Sequence, residues 1–142
     1  MPNSTDHSRD SGESRYESPY KKLCVHTITT KPWSIEVAMD KFAELPSDTK
    51  VYCGHEYTMS NCEFALQVEP ENEALQARYA EAQQLRANGE ITLPSTLSSE
   101  FASNPFMRTR EASVVKAAQE RRPDSKPGAE TLSEIRQWKD SL

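Results

Sequence analysis

The 142-residue chain has no long apolar run, few histidines and cysteines, and no excess of positive charge. No apolar stretch approaches the ~18 residues that a membrane-spanning helix requires, and the N-terminus lacks the apolar segment of a secretory signal. The net charge of −5 provides no basic field that would attract nucleic acid or anionic lipid. We therefore expect neither a nucleic-acid partner nor a membrane partner.

Cysteine is scarce, and the three residues present are Cys24, Cys53 and Cys62. Their number is odd and they show no C-x-x-C spacing, which favours free thiols in a reducing compartment over a disulfide framework. We expect a cytoplasmic location. A hydrophobic content of 35% with a mean hydropathy of −0.80 leaves material for a small core only.

What is present is mainly helical periodicity. Residues 1–22 are rich in Ser, Asp, Glu and Arg and cannot bury enough apolar surface to offset the entropy of ordering, so we predict a disordered or atypical N-terminus over residues 1–33. Beyond it, apolar spacing and capping residues predict helices. The predicted N-caps are Ser34, Asn72, and either Ser95 or Thr96, and Gly89 is predicted to end the third helix. The predicted helices cover residues 34–44, 59–68, 72–88, 96–102, 111–120 and 131–140, with a polar linker over residues 123–128.

One short stretch departs from this helical pattern. Residues 50–53 have the length and the β-branched and aromatic character of a short buried strand, and Gly54 permits a sharp turn that delivers His55 at the strand end. A single histidine at a turn is more often a structural residue than a ligand. The other two histidines add no support, because His7 lies in the polar tail and His26 has no Asp, Cys or His at ligand spacing.

Five separated motifs nevertheless occur in a fixed order. The run over residues 51–58 (Val-Tyr-Cys-Gly-His-Glu-Tyr-Thr) is followed by Val-Glu-Pro-Glu-Asn at 68–72, Pro-Ser-Thr-Leu at 94–97, Asn-Pro-Phe-Met-Arg at 104–108, and a closing Arg136-x-x-Lys139-Asp140. In order and spacing, this series resembles the hydroxyacylglutathione hydrolase (glyoxalase II) family. The resemblance extends over roughly residues 45–140 and matches the C-terminal part of that family.

The resemblance implies a fold and a division of the chain. Members of the family join a four-layered αββα metallo-β-lactamase domain to a C-terminal helical domain. We therefore expect a mainly α chain, in which residues 34–58 are a remnant of the metallo-β-lactamase domain and contain a helix, the strand and the Gly-His-Glu-Tyr loop. Residues 59–142 are expected to form the helical C-terminal domain.

The resemblance also implies a reaction and a set of site residues. The family hydrolyses S-(2-hydroxyacyl)glutathione, such as S-D-lactoylglutathione, to glutathione and a 2-hydroxy acid in methylglyoxal detoxification, using two metal ions that are zinc, iron or manganese. Carried over by motif, Arg136 and Lys139 hold the glycine carboxylate of glutathione, Tyr57 contacts glutathione, and His55 is a metal ligand within the substrate site. By spacing alone, the Arg136 and Lys139 pair is typical of a solvated helix face.

The sequence departs from the family where metal is bound. The family motif Thr-His-x-His-x-Asp-His is absent, nothing before about residue 45 resembles the metal domain, and one histidine cannot hold two metals. We therefore expect a truncated chain that is inactive alone, retains no metal pair and contains no catalytic residue. We also expect a lone strand over residues 51–53 without sheet partners, and helices with an exposed apolar face.

Two alternatives from other functional classes remain open. The chain is also consistent with a non-catalytic helical module that binds glutathione conjugates or regulates a full-length homologue by associating with it. A third interpretation takes Asn104-Pro105-Phe106 as a peptide motif for a trafficking adaptor. Its position between two helices favours packing instead. We assign packing roles to Cys62 and Trp138, and no ligand role to Glu56.

Overall fold

The computed structural model describes residues 32–142, and it describes side chains from Ile35 onward. The predicted disordered segment therefore lies almost wholly outside the described residues. The mainly helical fold is confirmed. The elements are α1 (Pro32–Ala43), β1 (Lys50–Val51), α2 (Thr58–Val68), α3 (Glu73–Ala87), β2 (Ser95–Thr96), α4 (Leu97–Ser103), a 3-10 turn (Pro105–Met107), α5 (Ala112–Arg121) and α6 (Ala129–Asp140).

Two predicted helix caps are confirmed. The Asn72 side chain accepts a hydrogen bond from the Leu75 N–H at 3.1 Å and so caps α3. The Thr96 hydroxyl accepts from the Ser99 N–H at 3.2 Å and caps α4. Past the end of α3, Gly89 adopts a φ of +74°, a left-handed conformation that stops the helix and that side chains disfavour.

The prediction of a lone strand is wrong. Lys50 and Val51 pair antiparallel with Thr96 and Ser95, so β1 and β2 form a two-stranded sheet. The partner escaped prediction because it is a two-residue segment of Ser and Thr far along the chain, with no strand periodicity of its own. The strand is also shorter than expected. It ends at Val51, which is buried, whereas Tyr52 and the following residue are exposed.

The core lies where α2, α5 and α6 meet, with a second cluster between α2 and α3. Cys62 belongs to this second cluster, which confirms its predicted packing role. Trp138 is half-buried and packs against the main cluster, as predicted. The main cluster consists of Phe64, Val68, Val114, Ala118 and Ile135, and Phe106 and Ala117 also pack against it.

Helix α1 packs against α6, so part of the apolar face that we expected to be exposed is covered. It begins at Pro32, which places Ser34 inside the helix instead of at its cap. Proline suits the first helical position because that residue's N–H would have no helical partner. The buried Glu36 carboxylate accepts hydrogen bonds from the Thr109 hydroxyl at 2.9 Å and forms an ion pair with Arg110 at 3.2 Å.

The predicted polar linker over residues 123–128 is a hydrogen-bonded turn. The Gly128 N–H donates to the Thr109 carbonyl at 3.1 Å, and the Gln119 side chain donates to the Ser125 carbonyl at 3.0 Å. Gly128 has a φ of +92°, a backbone conformation that requires glycine. The segment thus holds the start of α6 against the loop that carries Thr109.

Candidate functional site

The loop that follows β1 presents two aromatic side chains at the surface. His55 and Tyr57 are both exposed, and their rings stack with centroids 4.9 Å apart and an interplanar angle of 16°. Tyr57 is 59% exposed, although a tyrosine ring usually buries much of its apolar surface. The structure therefore brings together the two loop residues that the resemblance assigns to substrate and metal binding.

Glu56, between these two residues, is used to hold the loop. Its carboxylate accepts hydrogen bonds from the Thr92 N–H at 3.1 Å and from the Thr92 hydroxyl at 2.5 Å. The hydroxyl oxygens of Thr92 and Thr58 lie 2.6 Å apart. These contacts tie the loop to the segment before β2. Thr92 could not be predicted as the partner of Glu56, because the two residues are 36 positions apart in sequence.

Lys139, near the end of α6, meets the first turn of α2. Its ammonium donates to the Asn61 side-chain oxygen, and the Asn61 N–H donates to the Tyr57 carbonyl at 2.9 Å. Lys139 therefore contacts α2 one helical turn after Tyr57, the last residue of the exposed aromatic loop. Asn61 could not be predicted from the sequence, because a neutral residue in the first turn of a helix has no distinguishing spacing.

The surroundings of Lys139 are unusual for a lysine. Its Nζ lies 6.0 Å from the ring centroid of Phe64 and 5.7 Å from that of Phe106. Burial lowers the pKa of Lys139 below its ordinary value, and the nearby Asp140 charge opposes this shift only in part. An anionic ligand beside Nζ would favour the charged form and recover the cost of burial.

Arg136 lies one turn before Lys139 on α6 and is half-buried. A separation of three residues places the two cations roughly 4.5 Å apart along the helix axis, on neighbouring positions of one face. Trp138 lies between them in sequence but turns to the core, where its ring meets Phe64 edge-on at 5.6 Å. The Arg121 guanidinium covers the Trp138 ring at 4.9 Å.

Two of the five motifs have structural roles. The Glu69 carboxylate, at the end of α2, forms a two-pronged ion pair with Arg108 at 2.9 and 3.1 Å. Ser113 and Asn72 donate further hydrogen bonds to it. Burial alone would raise the pKa of Glu69, but these hydrogen bonds and the Arg108 charge hold the pKa below its ordinary value. The motifs at 68–72 and 104–108 thus fasten α2, α3 and α5 together.

Asn104, Pro105 and Phe106 pack into the fold. The Asn104 side chain accepts from the Phe106 N–H at 3.0 Å, Pro105 is buried, and Phe106 stacks on Phe64. The expectation that this tripeptide packs is confirmed, and a protruding adaptor motif is not what the structure shows.

Metal donors are sparse in the part of the chain that the structure describes. Within residues 32–142, no three His, Cys, Asp or Glu side chains cluster at distances that would hold a metal ion. His55 is a possible single donor, and the adjacent Glu56 carboxylate is engaged with Thr92. The described residues do not fit a two-metal centre. His7 and His26 lie outside the described residues.

Across residues 32–142, no helix has the length and apolar character needed to cross a membrane.

The structure defines a small helical domain. It carries an exposed aromatic loop with His55 and Tyr57, and two cations, Arg136 and Lys139, on its last helix. The family described as "Hydroxyacylglutathione hydrolase C-terminus" matches residues 56–142. Because this match spans more than half of the chain, the chain belongs to the hydroxyacylglutathione hydrolase family, as the motifs predicted.

Curated relatives agree with this assignment. The hydroxyacylglutathione hydrolase of Pseudomonas fluorescens (strain SBW25) is 47% identical over 120 residues, which is 84% of this chain and 47% of that protein. That of Aliivibrio salmonicida (strain LFI1238) is 47% identical over 105 residues, 74% of this chain and 41% of the relative. That of Cupriavidus taiwanensis (strain DSM 17343) is 42% identical over 119 residues, 84% of this chain and 45% of the relative.

These matches have two consequences. The chain spans about half the length of the curated relatives that it matches. In addition, a match over 120 residues cannot fit within residues 45–142, so it extends N-terminal to residue 45. The expectation that no family similarity precedes about residue 45 is therefore wrong. The quoted motifs stop there, whereas the overall similarity continues.

Proposed function

We propose that this chain binds the glutathione portion of an S-(2-hydroxyacyl)glutathione through Tyr57, Arg136 and Lys139, and that it acts in the hydrolysis of that thioester. The meeting of Lys139 with the first turn of α2 supports this proposal most strongly. Because Asn61 joins the Lys139 ammonium to the backbone of Tyr57, residues from two separate family motifs lie near each other. The names of the relatives supply the substrate class, S-D-lactoylglutathione being the example that we expect.

The charges on this face suit a carboxylate. Glutathione ends in a glycine carboxylate, which a guanidinium binds with two parallel hydrogen bonds while an ammonium adds a point charge. The hydrogen-bond acceptor at Lys139 is the neutral carboxamide of Asn61, so the positive charge is not neutralised there. The exposed Tyr57 ring provides an apolar and hydrogen-bonding surface just before α2.

We further propose that hydrolysis requires metal ligands that this chain does not itself contain. The whole sequence has three histidines, and His55 is the one that the family motif places at a metal site. A full-length homologue that associates with this chain is the proposed source of the remaining ligands. If association leads to no hydrolysis, the alternative applies, namely a non-catalytic module that binds glutathione or regulates the homologue.

The cysteine content of the sequence supports a location for this function. The chain has three cysteines, an odd number, and no C-x-x-C spacing. This pattern favours a reducing compartment, so we propose that the chain works in the cytoplasm. Cell fractionation tests this part of the proposal.

Isothermal titration of the full chain with glutathione tests the binding proposal. We expect saturable binding that weakens by about tenfold or more in Arg136→Ala with Lys139→Ala, because each charged hydrogen bond contributes about 1.5–3 kcal/mol. Lys116→Ala with Arg122→Ala, two exposed cations on or next to α5, removes the same charge and should leave affinity unchanged. Absence of binding to the unmodified chain, or equal losses in both double variants, would contradict the proposal.

Hydrolysis and metal content test the second part. We expect the purified chain to contain fewer than two equivalents of tightly bound metal and to leave S-D-lactoylglutathione intact. Two equivalents of metal together with turnover by the chain alone would show that it assembles a complete centre, and the proposed need for a second source of ligands would be wrong.

A further inference from the structure

Three aromatic rings from distant parts of the chain form one cluster beside the proposed site. Phe64 of α2 stacks on Phe106 of the 3-10 turn with centroids 5.9 Å apart and an interplanar angle of 24°. Trp138 of α6 meets Phe64 edge-on. The offset stack and the edge contact are the geometries that aromatic rings prefer, so the rings hold one another in place.

The Lys139 ammonium lies over two rings of this cluster. Both centroid distances, 5.7 Å to Phe106 and 6.0 Å to Phe64, fall within the range in which the negative face of a ring attracts a cation. The groups that meet the ammonium from α2 and the 3-10 turn are thus neutral, namely these rings and the Asn61 carboxamide. Asp140, the next residue on α6, is the charged group that acts on Lys139.

The backbone fixes Phe106 in position. Its N–H donates to the Asn104 side chain at 3.0 Å, and the preceding Pro105 is buried. The Phe106 ring is half-buried and packs on the core. A ring that is held at both its backbone and its side chain provides a rigid surface for a long, flexible lysine.

We propose that Phe106 is a positioning residue of the glutathione site, and that its ring, together with Phe64, holds the Lys139 ammonium in place for the ligand carboxylate. This inference rests on the proposed function. A free lysine would lose rotational freedom on meeting the carboxylate, whereas a lysine already held over the two rings loses less. The rings leave its charge available, which an ion pair with a carboxylate of the protein would not.

Stepwise fluorination of Phe106 tests the proposal in the full chain. Phenylalanine analogues with one, two and three ring fluorines keep nearly the same shape but weaken the negative face of the ring. We expect glutathione affinity to fall in steps, to about two- to fivefold below the unmodified chain for the most fluorinated analogue. The pKa of Lys139, followed by NMR of its side-chain carbons without ligand, should fall in the same order. The same analogues at Phe101, a half-buried ring of α4, serve as the matched control and should change neither quantity.

The two readouts separate failure of this inference from failure of the proposed function. If the unmodified chain binds glutathione but fluorination at Phe106 changes neither affinity nor the Lys139 titration, the positioning role is wrong and the function stands. If the chain does not bind glutathione, the function and Phe106's part in it are overturned, and the Lys139 titration still decides whether the rings hold the ammonium. A purely structural role for Phe106 would not shift that titration in proportion to fluorine number.

Discussion

Glu69 shows how a single buried charge organises this molecule. Its side chain is almost fully buried, yet it remains ionised because Arg108 binds both of its oxygens and Ser113 and Asn72 donate to it. Asn72 also caps α3 and donates to the Ala102 carbonyl at 2.9 Å. One carboxylate therefore connects the ends of α2 and α4 with the starts of α3 and α5.

Replacing Glu69 should lower the free energy of unfolding substantially. Glu69→Gln leaves the Arg108 charge without its partner in a largely buried position, and we expect the free energy of unfolding to fall by roughly 3 kcal/mol. Urea denaturation followed by circular dichroism measures it. Asp124→Asn, which removes the exposed ion pair with Arg122, is the matched control and should cost less than about 1 kcal/mol. Similar losses in the two variants would contradict the structural role of Glu69.

The same residue predicts a pH dependence. Because the folded-state pKa of Glu69 lies below its ordinary value of 4.5, its contribution to stability is complete above that pH. The contribution is lost as pH falls from about 4.5 through the folded-state pKa. The loss of stability over this acid range should therefore be smaller in Glu69→Gln than in the unmodified chain.

At the scale of elements, α1 is attached by polar contacts in addition to its packing against α6. The Glu36 carboxylate accepts a hydrogen bond from the Thr109 hydroxyl and forms an ion pair with Arg110. The exposed Asp40 also forms an ion pair with Arg110. Among the described hydrophobic residues of α1, only Ile35 is fully buried. We therefore expect the attachment of α1 to the rest of the domain to depend on the buried Glu36 carboxylate.

We expect Glu36→Ala to release α1 without unfolding the rest of the domain. Loss of hydrogen bonds to a charged acceptor weakens the attachment by about 1–3 kcal/mol, so amide exchange in α1 should accelerate about 5- to 150-fold, with α2 and α5 unchanged. Hydrogen exchange with mass spectrometry measures it. Asp40→Ala, which removes only the exposed pair, should change exchange little. Equal exchange in α1 of both variants would show that the buried carboxylate does not hold this helix.

Elements with their own periodicity and caps were predictable from sequence, and contacts between distant segments were not. Asn72, Gly89 and Thr96 specify the boundaries of their helices locally. In contrast, β1 depends on a two-residue partner at Ser95–Thr96, which no local pattern marks. The turn before α6 looked like a linker because its hydrogen bonds run to Thr109 and Gln119, and composition does not show such contacts.

At the scale of the whole molecule, the family motifs divide into two groups. The motifs at 68–72 and 104–108 build the scaffold through Glu69 and Arg108, and the motif at 94–97 adds β2 and the Thr96 cap of α4. The motifs at 51–58 and 136–140 form the candidate face, where Lys139 reaches α2. The resemblance supplied the proposed site residues. The bridge through Asn61 and the rings under Lys139 required the fold, because these residues are far apart in sequence and have no shared spacing.

The central claim is that Tyr57, Arg136 and Lys139 form one glutathione-binding face. Titration of the ¹⁵N-labelled full chain with glutathione, followed by NMR, tests it most directly. We predict saturable shifts of the backbone amides at these three residues and at Asn61, with the outer face of α3 unaffected. No saturable shift at any residue, or shifts confined to α1 and α3, would contradict the claim.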